Sequence, residues 1–488
     1  MNAPAPLSFT TVRSWINGAP TPGGAGQPVS PVIDPASGDT VGELIEADAA
    51  EVDVAVRAAR AAFDHGPWPR MPVPERQRIL RAIADAIDAN TEELARLETL
   101  HTGMPISQIK GMHIPRAALN FRFFAEYIGQ MAGTSHTDVP GVITYVTRQP
   151  IGVAALVAPW NVPLGLGMMK TAAALAFGCT VVLKPSEMTP LTFPIVARLM
   201  REAGLPDGAF NLVNGRGHVT GKALTEHPGV DCISFTGGTE TGRAIGMAAA
   251  KAIKPATMEL GGKSANIVFA DADLDKAVEG SLLAAFAGNG QQCLAGSRIM
   301  LQRGIAEAFT ERFVARVKGL KIGHPMAADT FLGPIQNAGH MARILSFVEK
   351  AKADGCEILT GGGRAPGFET GNYIEPIVAR APDNGRIICQ EEIFGPFATL
   401  MTFDTAEDAV RMANDSAFGL VGYVWSQDIS RALSTAQALH TGVVWVNTPM
   451  TRELRAPFGG WKESGVGREG GASCAQLYTQ EKTVTIRL

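Results

Sequence analysis

Three polar side chains sit at breaks in otherwise apolar stretches: Cys293, Glu259 and Asn161. Cys293 lies in Gly288-Asn289-Gly290-Gln291-Gln292-Cys293-Leu294-Ala295-Gly296, a Gly-rich turn in which a thiol can approach a substrate with its own backbone N–H exposed beside it. An isolated cysteine can equally be a small buried hydrophobe. Glu259 ends an apolar strand just before Gly261 and Gly262. A partly desolvated carboxylate there has its pKa raised toward the range of a general base, and an ordinary surface glutamate is the alternative. Asn161 is held between Pro159 and Pro163, either as a rigid amide donor for a developing oxyanion or as a satisfied turn residue. Lys170, expected to open the helix that follows, reads as a charge tuning the thiol, which catalysis needs accessible and with a depressed pKa, or as a solvated helix residue.

Glycine clusters supply candidate anion sites. Gly237-Gly238-Thr239-Glu240-Thr241-Gly242 directly follows an apolar strand and opens a helix, so its N–H groups could face a pyrophosphate. The strict GxGxxG spacing is absent there, and Gly215-Arg216-Gly217 with Gly221 is one residue too long for it, so simple turns fit both. Lys184-Pro185-Ser186-Glu187 follows another strand, and a Lys and a carboxylate three apart can grip the two hydroxyls of a ribose.

These side chains need a scaffold, and the chain is long enough to build one: 488 residues, 46% hydrophobic and 18% charged, a globular composition with room for two to four domains. With 43 basic against 47 acidic residues the formal charge is -4, which provides no basic field for nucleic acid or an anionic membrane. Six cysteines without a CxxC pair imply free thiols in a reducing cytoplasm and no metal site. Met1 to Pro22 lacks the pattern of a signal peptide. Pro150 to Met169 carries no charge, but Pro159, Asn161 and Pro163 would break a membrane helix, so it reads as a strand, Val153 to Ala158, ending in a functional loop.

Val52, Val56 and Phe63, then Ile79, Ile83 and Ile87, mark early helix faces. From residue 150 short buried strands at Ala154–Ala158, Val181–Leu183, Phe210–Val213 and Ile233–Phe235 alternate with helices, the rhythm of a parallel doubly wound sheet. A second set follows at Ala265–Phe269, Arg298–Gln302, Phe397–Phe403, Leu420–Trp425 and Val443–Val446. The alternating segments Val142–Thr147 and Thr483–Leu488 stand apart and could pair as an arm or bridge subunits.

At this point the chain resembles the aldehyde dehydrogenase superfamily. Pro159-Trp160-Asn161, Lys184-Pro185-Ser186-Glu187, Phe235-Thr236-Gly237, Glu259-Leu260-Gly261-Gly262-Lys263, Gly290-Gln291-Gln292-Cys293, Glu391-Glu392-Ile393-Phe394-Gly395-Pro396 and Pro457-Phe458-Gly459-Gly460 occur in the family's order. The resemblance implies an α/β chain with a Rossmann-like NAD-binding domain (1–127 and 150–261), an α/β catalytic domain (262–461), and a small β oligomerisation arm with a C-terminal tail (128–149 and 462–488). It implies a homodimer or homotetramer. It makes Cys293 the nucleophile, Glu259 the base and Asn161, with the Cys293 N–H, the oxyanion hole. Lys184 and Glu187 would hold the adenine ribose, Glu392 the nicotinamide ribose and Phe394 the nicotinamide, with Trp160, Gly217 and Gly238 lining the cleft. Glu187 would repel a 2'-phosphate, favouring NAD over NADP. Many members carry Ser where Gly238 stands, so altered cofactor affinity is expected. Retained Glu259 separates the chain from CoA-acylating relatives.

Ile114-Pro115-Arg116-Ala117 and Arg452-Glu453-Leu454-Arg455 are similar to the branch acting on hydroxymuconic and related semialdehydes, although that branch usually has Asp at the position of Glu453. The resemblance implies a substrate carboxylate met by Arg116, Arg452 and Arg455, with Phe458 beside the substrate. Surface ion pairs for these arginines, a general or aromatic aldehyde as substrate, a non-catalytic structural relative and a dinucleotide-binding regulator are the competing readings.

Overall fold

Strands whose two faces are both covered need no polar alternation, and the first sheet is built from such strands. In the computed structural model, which describes residues 10–24 and 26–488, Ala256–Glu259, Cys232–Thr236, Val153–Val157, Thr180–Lys184 and Phe210–Leu212 lie side by side and parallel. Ala154, Leu156, Val181 and Leu183 pack on one face against helices Val73–Ala89, Ile114–Ile128 and Pro163–Ala176. Val153, Ala155, Val182 and Ile233 pack on the other against Val52 and Val56 of helix Ala49–Asp64. Pro74 sits in the first turn of its helix, where the missing N–H has no intrahelical partner to lose.

The sheet begins at Val153–Val157, grows to one side through Thr180–Lys184 and Phe210–Leu212, then crosses back to add Cys232–Thr236 and Ala256–Glu259. That reversal makes a topological switch point, and the crevice beyond the carboxyl ends of such strands is where ligands bind in open α/β sheets. A second sheet orders Glu357–Thr360, Ile377–Arg380, Phe397–Phe403, Arg298–Gln302, Ala265–Val268, Val421–Trp425 and Val443–Val446, parallel except for the first. Its strands at Glu357–Thr360 and Ile377–Arg380, and the N-terminal sheet of Thr10–Val12, Thr40–Ile45 and Val29–Ile33, were not anticipated from sequence. Each is short and lies among glycine and proline, where periodicity has too few residues to register.

Val142–Pro150 and Thr479–Arg487 pair antiparallel along their whole length, with Thr134–His136 on the far edge. Of the stretch 462–488 expected as arm and tail, only the last strand belongs to this sheet. Gly465–Val466 instead pairs with Met258 and Glu259 at the edge of the first sheet, and helix Ser473–Tyr478 is buried against it. Gly467, Gly470 and Gly471, all at positive φ, turn the chain back onto that sheet. The first nine residues and Ala25, part of the expected cofactor-binding block, lie outside the described residues. Among the described residues, no helix is long and apolar enough to cross a membrane, and no three His, Cys, Asp or Glu cluster as metal ligands.

Candidate active site

The first sheet presents the loops after its strands: Pro159-Trp160-Asn161, Pro185-Ser186-Glu187, Gly237-Gly238 and Leu260-Gly261. The second sheet presents loops before its strands, with Cys293 ahead of Arg298–Gln302 and Glu392 and Phe394 ahead of Phe397–Phe403. Between them lies a cleft of about 450 Å³ lined by Trp160, Asn161, Lys184, Glu187, Gly217, Gly238, Cys293, Glu392 and Phe394. The expected catalytic and cofactor residues therefore share one cavity, except Glu259 and Lys170, which do not line it.

The turn that carries Cys293 is fixed by close backbone approach. Gly290 has φ +66°, and a Cβ there would fall 2.4 Å from the Gly395 carbonyl carbon. A Cβ on Gly262 would fall 2.6 Å from the carbonyl oxygen of Cys293. Asn289, fully buried at φ 59°, pins the turn by donating to the carbonyls of Gly103 and Pro334, 3.0 Å each, and accepting from Gly333 N–H at 2.8 Å. The sequence reading passed over Asn289 because its partners are remote along the chain.

Cys293 is the one partly exposed cysteine of the six; the others are buried. Its thiol does not have the depressed pKa expected from sequence. Burial pushes it up to about 12, Glu392 and Glu259 push in the same direction, and Arg452 opposes them. Access, rather than acidity, sets this thiol apart. Asn161 is buried, and its amide donates to the Gln291 carbonyl at 2.8 Å, two residues before Cys293. An amide carries two N–H donors, so one is left for an oxygen at the sulfur.

Glu259 is buried, and its Oε1 has no hydrogen-bond partner. Burial first, then the charge of Glu469, hold its carboxyl well above the usual carboxylate range, against Lys170, Arg452 and Arg468. Lys170 departs from expectation. It lies within helix Pro163–Ala176 rather than at its start, fully buried, and its ammonium binds Glu469 and the Ser234 hydroxyl (3.0 Å), not the thiol. Ser234 in turn donates to Glu469 at 2.9 Å. A buried ammonium needs a buried carboxylate, and the folded-back C-terminal segment supplies it. Nothing in the spacing around Glu469 announced this.

The cleft also fits a dinucleotide. Lys184 meets Glu187 at 3.0 Å on its rim, leaving cation and carboxylate side by side for vicinal hydroxyls. Gly238 caps helix Thr239–Lys251, and a Cβ there would meet nothing within 4 Å, so the space a serine would fill stays open to an anion at the helix N-terminus. Gly217 is similarly open. The buried Thr236 hydroxyl on the cleft wall lacks a partner, a donor available to a ligand. Glu392 accepts from Gly262 N–H at 2.9 Å, and burial raises its pKa to about 7.

Arg116 and Arg452 are brought together, and neither has an ion pair or side-chain hydrogen bond to the described residues. Arg452 stacks over the Phe458 ring at 3.8 Å, and burial lowers its pKa to about 10, with Arg116 adding to the effect. Arg116 is lowered by burial as well. Phe458 packs in a cluster with Tyr423 and Trp445 that Cys293 joins. Arg455 does not enter the site. It is exposed and forked onto Glu453 at 2.8 and 3.0 Å, which holds that carboxyl at about 2. Two residues apart on an exposed turn, these side chains satisfy each other.

Comparison with known proteins agrees with this geometry. The model of the Aldehyde dehydrogenase family matches residues 24–484. The chain is 42% identical to the 2-hydroxymuconic semialdehyde dehydrogenase of Pseudomonas sp. (strain CF600), covering 98% of this chain and 99% of the relative. It is 40% identical to the 5-carboxymethyl-2-hydroxymuconate semialdehyde dehydrogenase of Escherichia coli, covering 94% and 97%. An aldehyde dehydrogenase from Bacillus cereus, solved as an NAD+ complex, superposes with a TM-score of 0.96 at 36% identity, covering 98% and 97%. With that match running almost from end to end, and with thiol, amide and carboxyl gathered around one cleft, the chain belongs to the aldehyde dehydrogenase family.

Proposed function

We propose that this enzyme oxidises, with NAD, an aldehyde that carries a carboxylate away from its reacting carbon, as in the hydroxymuconic semialdehydes named for its relatives. The observation that carries the substrate class is the pair Arg116 and Arg452. The two guanidiniums lie close enough to act on each other, Arg452 also acts on Cys293, and neither is closed off by a salt bridge to the described residues, although the carboxyls of Glu259 and Glu469 act on Arg452 from a distance. Guanidinium recognises carboxylate bidentately, and Phe458 supplies an apolar wall under Arg452.

In this reading the Cys293 thiol gives its proton to solvent water, the thiolate Sγ bonds to the aldehyde carbon, and the C=O π electrons move to the carbonyl oxygen, which takes the charge. Asn161 Nδ2 and the Cys293 N–H donate to that oxygen. NAD, when bound, supplies the two-electron acceptor for the adduct carbon, and the oxidised carbon remains as a thioester on Cys293. Glu259 then takes a proton from water as the water oxygen bonds to the thioester carbon, the C–S bond breaks, and the acid leaves with Cys293 restored. Lys184 and Glu187 would hold the adenine ribose, Glu392 the nicotinamide ribose, and Trp160, Phe394, Gly217 and Gly238 would bound the cofactor. The arm would join subunits in a homodimer or homotetramer, and a reducing cytoplasm suits the six free thiols.

Steady-state kinetics on a carboxylated semialdehyde and a neutral aldehyde of similar size test the substrate class. Loss of one charge-assisted bond removes about 1.5–3 kcal/mol, so Arg116→Ala and Arg452→Ala are each expected to raise KM for the acidic substrate roughly 10- to 150-fold. The neutral aldehyde should be nearly unaffected. A wild-type enzyme that prefers the neutral aldehyde would sink the proposal and leave a general aldehyde dehydrogenase.

A further inference from the structure

The turn before Cys293 runs through three successive left-handed residues, Gly288 (φ 61°), Asn289 (φ 59°) and Gly290 (φ 66°). Left-handed residues ordinarily occur singly, so contacts from elsewhere in the chain must hold such a run. They come from the end of helix Thr91–Thr102 and the segment that follows it. Gln108 accepts from the Gly288 N–H at 2.8 Å and donates to the Phe331 carbonyl at 3.0 Å. The Gly103 carbonyl receives Asn289, and a Cβ on Gly333 would fall 2.1 Å from that same carbonyl oxygen. The Ile106 N–H donates to the Pro325 carbonyl at 2.8 Å, which ties the two gripping segments to each other.

The same helix also holds the segment that carries Asn161. That residue lies just ahead of helix Pro163–Ala176, whose first residue has no N–H and whose preceding residue, Val162, gives no side-chain cap. The first free donor is the Leu164 N–H, and Glu98 Oε1 receives it at 2.8 Å. Glu98 is fully buried, and its Oε2 accepts from Thr192 Oγ1 at 2.9 Å and from His101 Nε2 at 3.2 Å. His101 Nδ1 accepts from the Leu191 N–H at 3.3 Å, which puts the ring proton on Nε2, facing Glu98. Asn161 and the turn then meet at the Gln291 carbonyl. Neither Glu98 nor Gln108 lines the cleft.

We infer that Glu98 and Gln108 are positioning residues for the oxyanion: from one helix and its extension they hold the Asn161 amide and the Cys293 N–H at the separation at which both donate to one oxygen. This rests on the nucleophile and oxyanion reading above and adds two residues to it. Glu98 acts through helix Pro163–Ala176 and Gln108 through the glycine turn. Their effect therefore falls on addition at the carbonyl carbon and not on NAD binding.

p-Nitrophenyl acetate tests this without the cofactor. The thiolate Sγ bonds to the ester carbon, an oxyanion develops at the carbonyl oxygen, and the C–O bond breaks as p-nitrophenolate leaves with its electron pair. First-turnover release of p-nitrophenolate and steady-state aldehyde oxidation are measured beside NAD affinity and thermal melting. Gln108→Met is expected to slow both reactions about 10- to 100-fold, the scale of a small misplacement at a reacting centre. Gln108→Glu, which keeps an acceptor for the Gly288 N–H, should recover part. Because Gln108 is half-buried, melting and NAD binding should stay close to wild type. Glu98→Ala should slow the ester reaction similarly, and Glu98→Gln, which keeps Oε1, should restore it. In an Asn161→Ala background the added loss from Glu98→Ala should shrink to less than about 3-fold, because the donor it aims is gone. A loss as large as in the wild-type background overturns the role of Glu98. Full rates in Gln108→Met, or losses that run in parallel with melting and NAD binding, overturn that of Gln108. A wild type that cleaves the ester but is inert to every aldehyde overturns the aldehyde reading alone, and one inert to both overturns the positioning with it.

Discussion

Cys293 is the proposed nucleophile, and two of its properties pull in opposite directions. It is reachable, and at rest it is neutral, because burial and two nearby carboxyls raise its pKa to about 12 while Arg452 pulls the other way. Cys179, Cys232, Cys389 and Cys474 are raised by burial as well, but they are buried. Thiolate attacks an alkylating reagent that can reach it, so alkylation should fall on accessible Cys293 first. Below the raised pKa the thiolate fraction climbs about tenfold per pH unit, and the rate should follow that slope from pH 7 to 9. Arg452→Met removes the favourable charge and should slow alkylation at every pH in that range. Mass-spectrometric mapping of iodoacetamide adducts against time checks both points, and early labelling of a buried cysteine would contradict the access argument.

At the scale of elements, the site depends on a helix and a returning segment that share one buried ion pair. Helix Pro163–Ala176 carries Lys170 beneath the first sheet, and Glu469 reaches it from the chain that continues past edge strand Gly465–Val466. Breaking one half of such a pair leaves a buried charge unmatched, a loss of about 3–5 kcal/mol that chemical denaturation of Lys170→Met would register. The same pair sets Glu259. Glu469 raises its pKa and Lys170 lowers it, so the two substitutions should move the acid limb of the kcat–pH profile in opposite directions. Glu469→Gln removes a negative neighbour, letting Glu259 ionise at lower pH. Lys170→Met removes a positive one, shifting the limb upward. Shifts of the same sign would separate Glu259 from that limb.

For the whole molecule, the three-stranded arm is left uncovered by the described residues of its own chain. Val142–Pro150 and Thr479–Arg487 are nowhere fully buried except at Thr479, and Val139, Ile486 and Leu488 are exposed. A single sheet layer without a covering partner is marginal in water, which is why the arm is proposed to join subunits. Sedimentation should give a multiple of the 51.4 kDa chain. Val484→Asp combined with Ile486→Asp should shift it toward the single chain while the cleft still binds NAD. A monomeric wild type would remove the arm's proposed role.

Sequence alone was enough for the placements that are local. Cys293 in its glycine turn, Asn161 between prolines, Glu259 at a strand end and the βαβ rhythm all depend on neighbours within a few residues, and backbone sterics and side-chain periodicity act at that range. The family resemblance extended this to Glu392 and Phe394, whose place on the cleft has no local signal. The tertiary structure decided what depends on residues far apart in the chain. It placed Lys170 against Glu469 rather than the thiol, raised the Cys293 pKa that had been expected low, and left Arg116 with Arg452 while sending Arg455 to Glu453. It also brought Gln108 to the Cys293 turn and Glu98 to the helix that follows Asn161. Desolvation and charge pairing depend on what surrounds a group in space, and only the folded chain assembles those surroundings.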